Sequence, residues 1–533
     1  MTEADPTPPT LISPHNRALP LLTLTDLRIA ESQAQATLPK HTLMSRAGKS
    51  AASFLQEQIT RDISIEKSRH KVWLIAGPGN NGGDALVLAT ELHRAGIAVE
   101  LCMPVEVKPD DARWALETAR AAGVAISAAV PASLDDYTWL VDGMFGIGLT
   151  RPLEGVFADV ARRLSQRTQA RPRKGGVLAL DVPSGLDSDT GTAVGNGNVI
   201  GEGAAVHATH TITFIGAKPG LFTAQGRDLA GAVTVAPIGV DTSGRTAVQL
   251  NAPELFAAFL PPRDFATNKG SFGSLAVVGG DTGMCGAPIL AARAALYTGA
   301  GKVHVALLGE GAPPYDPPHP ELMLHAIDDL PLDHMDALAV GCGMGHRERA
   351  TRVMHDVLHL DVPKLFDADA LNLISKDPAL AAEVTARGVQ GDPCVLTPHP
   401  LEAARLLGTD APGVQRDRLT AARALAARFA SVVVLKGTGT VVAAPDGRLA
   451  INPTGNAALA TGGTGDVLGG IIGALLAQRL PRYEAALAGV YLHGLAADTL
   501  SAQGHGPAGL TAGELAPMVR TLLNRLFYPA ADC

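Results

Sequence analysis

The chain has 533 residues, of which 46% are hydrophobic and 18% charged, and its formal net charge is −8. That length predicts two to four domains with enough apolar material for large cores. Basic residues are scattered, which excludes a nucleic-acid partner held by an electrostatic stripe, and no segment reaches the roughly 18 consecutive apolar residues of a membrane span.

The first residues, MTEADPTPPT, are acidic and proline-rich and lack the charged and apolar regions of a secretory signal. A disordered tail is expected over 1–20. Next come helical candidates around 24–60, then VWLIAG (72–77), an apolar strand run straight into a glycine-rich turn. A helix is expected at 85–95 and a strand at VELCMP (99–104). WLVDGMFG (139–146) and VLALDVPSG (177–185) repeat one grammar: apolar strand, aspartate, glycine loop. Such alternation predicts a mostly parallel sheet with helices on both faces, whose ligands collect at the carboxyl ends of the strands. A last strand starts near 233, and a polar, glycine-bearing linker at 241–246 closes a first domain over 21–245.

A second domain, 250–530, restarts the pattern. Strands are expected at SLAVVGG (274–280), VHVALL (303–308), ALAVGCG (337–343) and VVVLKG (432–437). Helices are expected at 286–299, 415–429, 464–478, 483–501 and 511–526. The five cysteines, Cys102, Cys285, Cys342, Cys394 and Cys533, are far apart with no C-x-x-C spacing. They read as reduced core residues of a cytoplasmic protein rather than a disulfide framework.

In the first half, GPGNNGGD (77–84) joins a strand to a helix. Glycines let backbone approach a ligand, and the helix start offers free N–H groups to an anion. A plain tight turn is the bland alternative, weakened by Asn80, Asn81 and Asp84. Asp142 and Asp181 end strands, where a carboxylate either caps the next helix or acts as a base or cation ligand. Ser184 adds a hydroxyl beside them, and Lys218 either assists the chemistry or, as is usual for a loop lysine, is simply solvated.

These stretches, with TFIGAKPGLFTAQGRDLAG (213–231), closely resemble the NAD(P)H-hydrate epimerase family over about 22–240. The resemblance implies a Rossmann-like three-layer domain that interconverts the R and S forms of hydrated NADH and NADPH and binds potassium. Carried over by position, it implies substrate contacts from Asn80, Asn81, Gly82, Gly83 and Asp84, from Gly146, Ile147, Gly148, Leu149, Thr150, Arg151 and Pro152, and from Asp181. Potassium would be ligated by Asn81, Asp142 and Ser184, and Asp181 is the catalytic candidate. Ala85 stands where the family commonly has glycine.

In the second half, GGTGD (462–466) precedes a long apolar helix and forms an anion hole at its N-terminus, with Asp466 just inside. An acidic residue there is also ordinary helix chemistry. KGTGT (436–440) is a second backbone-rich loop; its Lys436 faces phosphate or snorkels to water. TPHPLE (397–402) sets His399 between prolines, and the carboxylates of DADALN (367–372) read as helix caps.

With KGSFGSLAVVGG and GMCGAPILAARAALYTGAG, these motifs resemble the ADP- or ATP-dependent NAD(P)H-hydrate dehydratase family over about 262–530. The resemblance implies a ribokinase-like α/β domain. It implies hydrated-cofactor contacts from Ala287, Gly343, His399 and Asp466, nucleotide contacts from Lys436, Gly437, Thr438, Gly439, Thr440 and Gly465, and catalysis by Asp466. Magnesium and ADP or ATP are the implied cofactors. Leu401 replaces a usual glycine, and Cys342 a usual proline. The expected partners are the two hydrated cofactors and ADP, with a homo-oligomer as the assembly. A ribokinase-like small-molecule kinase carrying an N-terminal binding module is the competing reading, since GGTGD would serve both and domains related to the first half occur as scaffolds in RNA metabolism.

Overall fold

The computed structural model describes residues 11–13, 17–63, 66, 69–170, 175–195, 203–244, 248–311 and 314–528. Its chain forms two compact units, chiefly Leu19–Val248 and Gln249–Cys533. The division adjoins the polar stretch 241–246, part of which, with Cys533, lies outside the described residues. So do most of residues 1–20, but the tail expected there is partly ordered. Ile12 exchanges two backbone hydrogen bonds with Val235, because an edge strand offers it unpaired N–H and C=O groups.

In the first unit the strands are β1 (Lys71–Ala76), β2 (Ala98–Cys102), β3 (Ala125–Ser127), β4 (Trp139–Gly143), β5 (Gly176–Leu180), β6 (His210–Phe214) and β7 (Ala232–Ala236). They pair in the order β3-β2-β1-β4-β5-β6-β7, every pair parallel. The period of two shows in the core. Val72, Leu74 and Ala76 enter one apolar cluster, while Trp73 and Ile75 enter another on the opposite face. The helices α1 (Leu24–Gln35), α2 (Thr42–Arg61), α3 (Asn80–Arg94), α4 (Asp110–Ala121) and α5 (Gly155–Gln169) cover the sheet. Thr23 and Asp26 close a capping box that fixes where α1 begins.

The second unit is also α/β. Its strands β8 (Ser274–Gly279), β9 (Lys302–Leu307), β10 (Met323–Ala326), β11 (Ala337–Val340), β12 (Lys364–Phe366), β13 (Val395–Leu396) and β14 (Val432–Leu435) are mutually parallel, in the order β14-β13-β12-β11-β8-β9-β10. The chain then turns back, and β15 (Val441–Ala443) and β16 (Leu449–Ile451) continue the sheet in antiparallel fashion. Its helices include α6 (Gly286–Thr298), α7 (Glu348–His359), α8 (Asp369–Lys376), α9 (Pro378–Val389), α10 (Pro400–Leu407), α11 (Arg418–Phe429), α12 (Thr464–Ala477), α13 (Arg482–Ala502) and α14 (Ala512–Phe527). Among the described residues no helix is long and apolar enough to cross a membrane.

Helix α12 is buried nearly all round, as its unbroken apolar sequence demands. It lies so close to α6 that a Cβ on Gly470 would sit 1.9 Å from the Ala291 carbonyl oxygen. Gly470→Ala is therefore expected to destabilise the second unit by about 1–3 kcal/mol. Gly513→Ala, with open space at its Cβ position, should hold stability or gain up to about 1 kcal/mol. Urea unfolding followed by circular dichroism checks the pair, and equal midpoints would contradict this account of the packing.

Candidate active sites

In the first unit the strand ends of β1, β4 and β5 bring their loops together. Gly77 must be glycine, because a Cβ there would lie 1.7 Å from the Met144 carbonyl oxygen. That contact presses the 77–84 turn against the loop after β4. Asp142, fully buried at the end of β4, accepts from the Ser184 hydroxyl at 2.6 Å and from the Ser184 and Met144 N–H groups at 2.8 and 3.2 Å. Burial pushes its carboxyl up to about 6, and the Ser184 hydrogen bonds work against that rise. Asn81 is buried too, and both amide atoms of its side chain lack a hydrogen-bond partner. Such an orphaned amide marks a place for a ligand or ion.

Asp181 follows β5 with φ at +66°, a strained conformation for a non-glycine residue. Its carboxylate pairs with the Lys218 ammonium at 2.6 Å and accepts from the Ile147 N–H at 3.2 Å. Lys218, which a loop position would ordinarily leave solvated, is instead buried. It also donates to the Thr213 hydroxyl and the Phe214 carbonyl oxygen, each at 2.7 Å. A buried ammonium requires such a full set of partners.

A cavity of about 370 Å³ opens over this ion pair. Asn80, Asn81, Asp84, Gly146, Ile147, Gly148, Leu149 and Asp181, all expected in the site, line it. Thr150, Arg151 and Pro152 are not among its lining residues. Gly82 and Gly83 face inward, against the Gly77 carbonyl and Met44, and serve packing. Asp142 and Ser184 lie beneath. Sequence reasoning missed Glu31, which α1 turns into the cavity; a surface-helix glutamate carries no signal of its tertiary neighbours.

In the second unit a similar arrangement forms at the ends of β11, β12, β13 and β14. Asp367, read from sequence as a cap, is instead buried and forms an ion pair at 2.6 Å with the partly exposed Lys436. Ala368, which precedes helix α8, gives it no side-chain cap. The available signal was the strand-then-aspartate grammar already seen at Asp142 and Asp181. The Asp367 and Glu402 charges hold the Lys436 ammonium above its usual range, although burial pulls the other way.

Helix α12 begins after Gly463, whose φ of +89° only glycine adopts freely. A Cβ on Gly465 would stand 3.6 Å from the Lys436 ammonium nitrogen, so the helix N-terminus and the lysine form one positive corner. Asp466, in the first turn, is raised to about 6 by burial, while a hydrogen bond from Cys342 pulls it down. The cysteine that replaces a usual proline therefore acts on the charge of the catalytic candidate.

His399 caps α10. Its Nδ1 accepts from the Leu401 and Glu402 N–H groups at 3.1 and 3.3 Å, and its Nε2 lies 3.2 Å from the Glu402 carboxylate. Gly343, with φ at +59°, lies where an added Cβ would be 3.5 Å from that of Ala287. Behind the 436–440 loop the buried Arg418 donates to the Leu435 and Lys436 carbonyl oxygens at 3.1 and 3.2 Å. The Thr440 hydroxyl donates to the Gly437 carbonyl oxygen at 3.1 Å and closes the loop.

Two family models match the chain: "YjeF-related protein N-terminus" over residues 40–220 and "NAD(P)H-hydrate dehydratase" over 275–519. A bifunctional NAD(P)H-hydrate repair enzyme from Escherichia coli is 38% identical over 512 residues, covering 94% of this chain and 93% of the relative. The corresponding enzyme from Coxiella burnetii is 36% identical, covering 92% and 96%. An ADP-dependent (S)-NAD(P)H-hydrate dehydratase from Neisseria meningitidis is 48% identical over 281 residues, 52% of this chain and 92% of its own. A solved Bacillus subtilis ADP/ATP-dependent NAD(P)H-hydrate dehydratase, co-crystallised with ATP and Mg2+, is 33% identical with a TM-score of 0.44. It covers 50% of this chain and 95% of that one.

The Asp367–Lys436 pair supplies a test that needs no ligand. Lys436→Met strands a buried carboxylate and is expected to cost the second unit about 3–5 kcal/mol, with much of the loss restored by adding Asp367→Asn. Chemical denaturation of the single and double variants measures this, and additive losses would contradict the pairing.

Proposed function

The chain belongs to the family of bifunctional NAD(P)H-hydrate repair enzymes, and on that footing we propose how its two sites divide the work. The first unit interconverts the R and S forms of hydrated NADH and NADPH. The second dehydrates the S form at the expense of ADP, giving AMP and phosphate. The observation that carries this reading is a carboxylate beside a lysine at each set of strand ends: Asp181 paired with the buried Lys218, and Asp466 near the pair of Lys436 and Asp367.

In the first site, epimerisation needs reversible loss and return of a hydroxyl on a carbon beside the ring nitrogen. Asp181 serves as proton carrier, and its charge stabilises the transient cation. Lys218 and the Ile147 N–H fix its orientation. Asn81, Asp142 and Ser184 offer oxygen donors suited to potassium, and the orphaned amide of Asn81 supports a ligand there. A potassium ion would supply fixed positive charge beneath the cavity.

In the second site, hydroxide leaves poorly, so the hydroxyl is first phosphorylated. Asp466 removes its proton as the oxygen attacks the terminal phosphoryl of ADP. AMP leaves in that transfer; phosphate then departs from C6, pushed by the ring nitrogen, and takes the C5 proton as the C5=C6 double bond forms and the nitrogen regains its pair. The α12 N-terminus, Gly465 and the 436–440 loop receive the phosphates, with Lys436 as their cation. Magnesium, when bound with the nucleotide, offsets charge on the transferring group. Ala287, Gly343 and His399 flank the hydrated ring. The ADP dependence of the Neisseria relative supports ADP over ATP.

Asp466→Asn is expected to lower dehydration by roughly 10²–10⁴-fold and spare epimerisation, while Asp181→Asn does the reverse. Epimer-resolved chromatography and NADH absorbance measure both, and wild-type dehydration by Asp466→Asn would sink the mechanism. Because Asp466 acts as a carboxylate with its ordinary value raised to about 6, dehydration should rise with pH through about 6 and then level. Cys342→Ala removes a donor that favours the charged form, so that limb should move to higher pH. A limb that stays in place would contradict the role given to the thiol.

A further inference from the structure

Several carboxyl groups face the cavity of the first unit, and their surroundings set them apart. Asp181 is tied to Lys218 at 2.6 Å, and Asp111 on α4 to His41 at 2.6 Å. Glu31 on α1 and Asp84 on α3 enter the same space. Arg28, Lys218 and His41 are the basic groups nearby. Among the described residues no N–H group or cation lies within bonding distance of the Asp84 carboxyl. A carboxyl at the foot of a cavity, facing other carboxylates and lacking a donor, keeps its proton.

Epimerisation by loss of a hydroxyl requires an acid, because hydroxide must depart as water. Asp181 is ill placed for that part, since donors already occupy both its oxygens, Lys218 at one and the Ile147 N–H at the other. Resting on the epimerase reading, we propose that Asp84 is the general acid of the first site and Asp181 its base, with Glu31 keeping Asp84 in its acid form. Asp84 gives its proton to the C6 hydroxyl oxygen as the C6–O bond breaks. The bonding pair leaves with water, and the lone pair of the ring nitrogen forms the C6=N1 double bond. Water adds to the opposite face of C6, the nitrogen regains its pair, and Asp181 takes the released proton. Passage of that proton to Asp84 through water in the cavity restores the starting state. One water leaves and one enters, and nothing is oxidised or reduced. The transient cation lies among Glu31, Asp111 and Asp181, whose charges favour it.

Two environments that separate two carboxyls assign acid and base by the logic familiar from paired-carboxylate enzymes. In support, burial first, then the Asp181 and Glu31 charges, raise the Asp84 carboxyl well above its ordinary range, with Asp111 adding to the rise and Lys218 opposing it.

The test uses the full chain without ADP, so that only interconversion of purified R-form hydrated NADH is read, by chromatography, from pH 5 to pH 9 (about the span over which both limbs fall). Wild-type activity should fall on the basic side as Asp84 loses its proton. Asp84→Asn should lower kcat about 10²-fold or more with KM changed less than about threefold. Glu31→Gln removes one neighbouring negative charge and should move the basic limb down by roughly half a pH unit. That second reading stands even if the Asp84 variant misfolds. Interconversion by Asp84→Asn within about threefold of wild type, or a basic limb unmoved in Glu31→Gln, overturns the proposal. Wild type that interconverts nothing at any pH defeats the epimerase reading itself, before any variant is made.

Discussion

Each unit turns on a lysine–aspartate ion pair held at 2.6 Å where parallel strands end: Asp181 with Lys218, and Asp367 with Lys436. A parallel sheet covered on both faces leaves its carboxyl-terminal edge as the place where loops converge. Polar groups buried there must be paired or they cost several kcal/mol. The pairs satisfy that demand and fix the orientation of the carboxylates around them. Asp181 is then held at a strained φ of +66°, a conformation that persists because Lys218 and the Ile147 N–H bind both its oxygens.

Close backbone approach is the second constraint, and glycine meets it in both halves. Gly77 lets the 77–84 turn lie on the Met144 carbonyl, and Gly470 lets α12 lie on α6. These contacts bring α3 and α12 to positions where their N-termini, or the residues just inside them, face a site. Two unrelated sequences thus arrive at one solution: a strand-end carboxylate, an ammonium paired with it, and a helix N-terminus beside them. What differs is the chemistry on offer. The first unit gathers carboxyls around a half-open cavity, which suits proton traffic and a transient cation. The second gathers backbone N–H groups and Lys436, which suits phosphoryl transfer.

The strands were legible because buried parallel strands read as continuous apolar runs, and the glycine loops because their spacing interrupts those runs. The antiparallel pair β15 and β16, each three residues long, escaped notice, as did β3, β6, β10, β12 and β13. Asn81, Asp142, Ser184, Asp181 and Asp466 were visible as strand-end or helix-start polar residues. Lys218 was not, since its partner lies 37 residues away in sequence and a loop lysine is ordinarily solvated. Asp367 was read as a cap because Ala368–Asp369 opens a helix, and only the fold brings Lys436, 69 residues on, to its carboxylate. Glu31 and Arg418 sit on helices whose sequences say nothing of what tertiary packing sets against them. Long-range pairing is what local pattern cannot carry.

The central claim is that two separate sites on one chain complete one repair. The most direct measurement mixes the purified protein with hydrated NADH of both epimers, ADP, magnesium and potassium, and follows the absorbance of regenerated NADH. The account predicts recovery past the S share of the mixture to completion of both epimers. Recovery that halts at the S share, or none with either ADP or ATP, would contradict it.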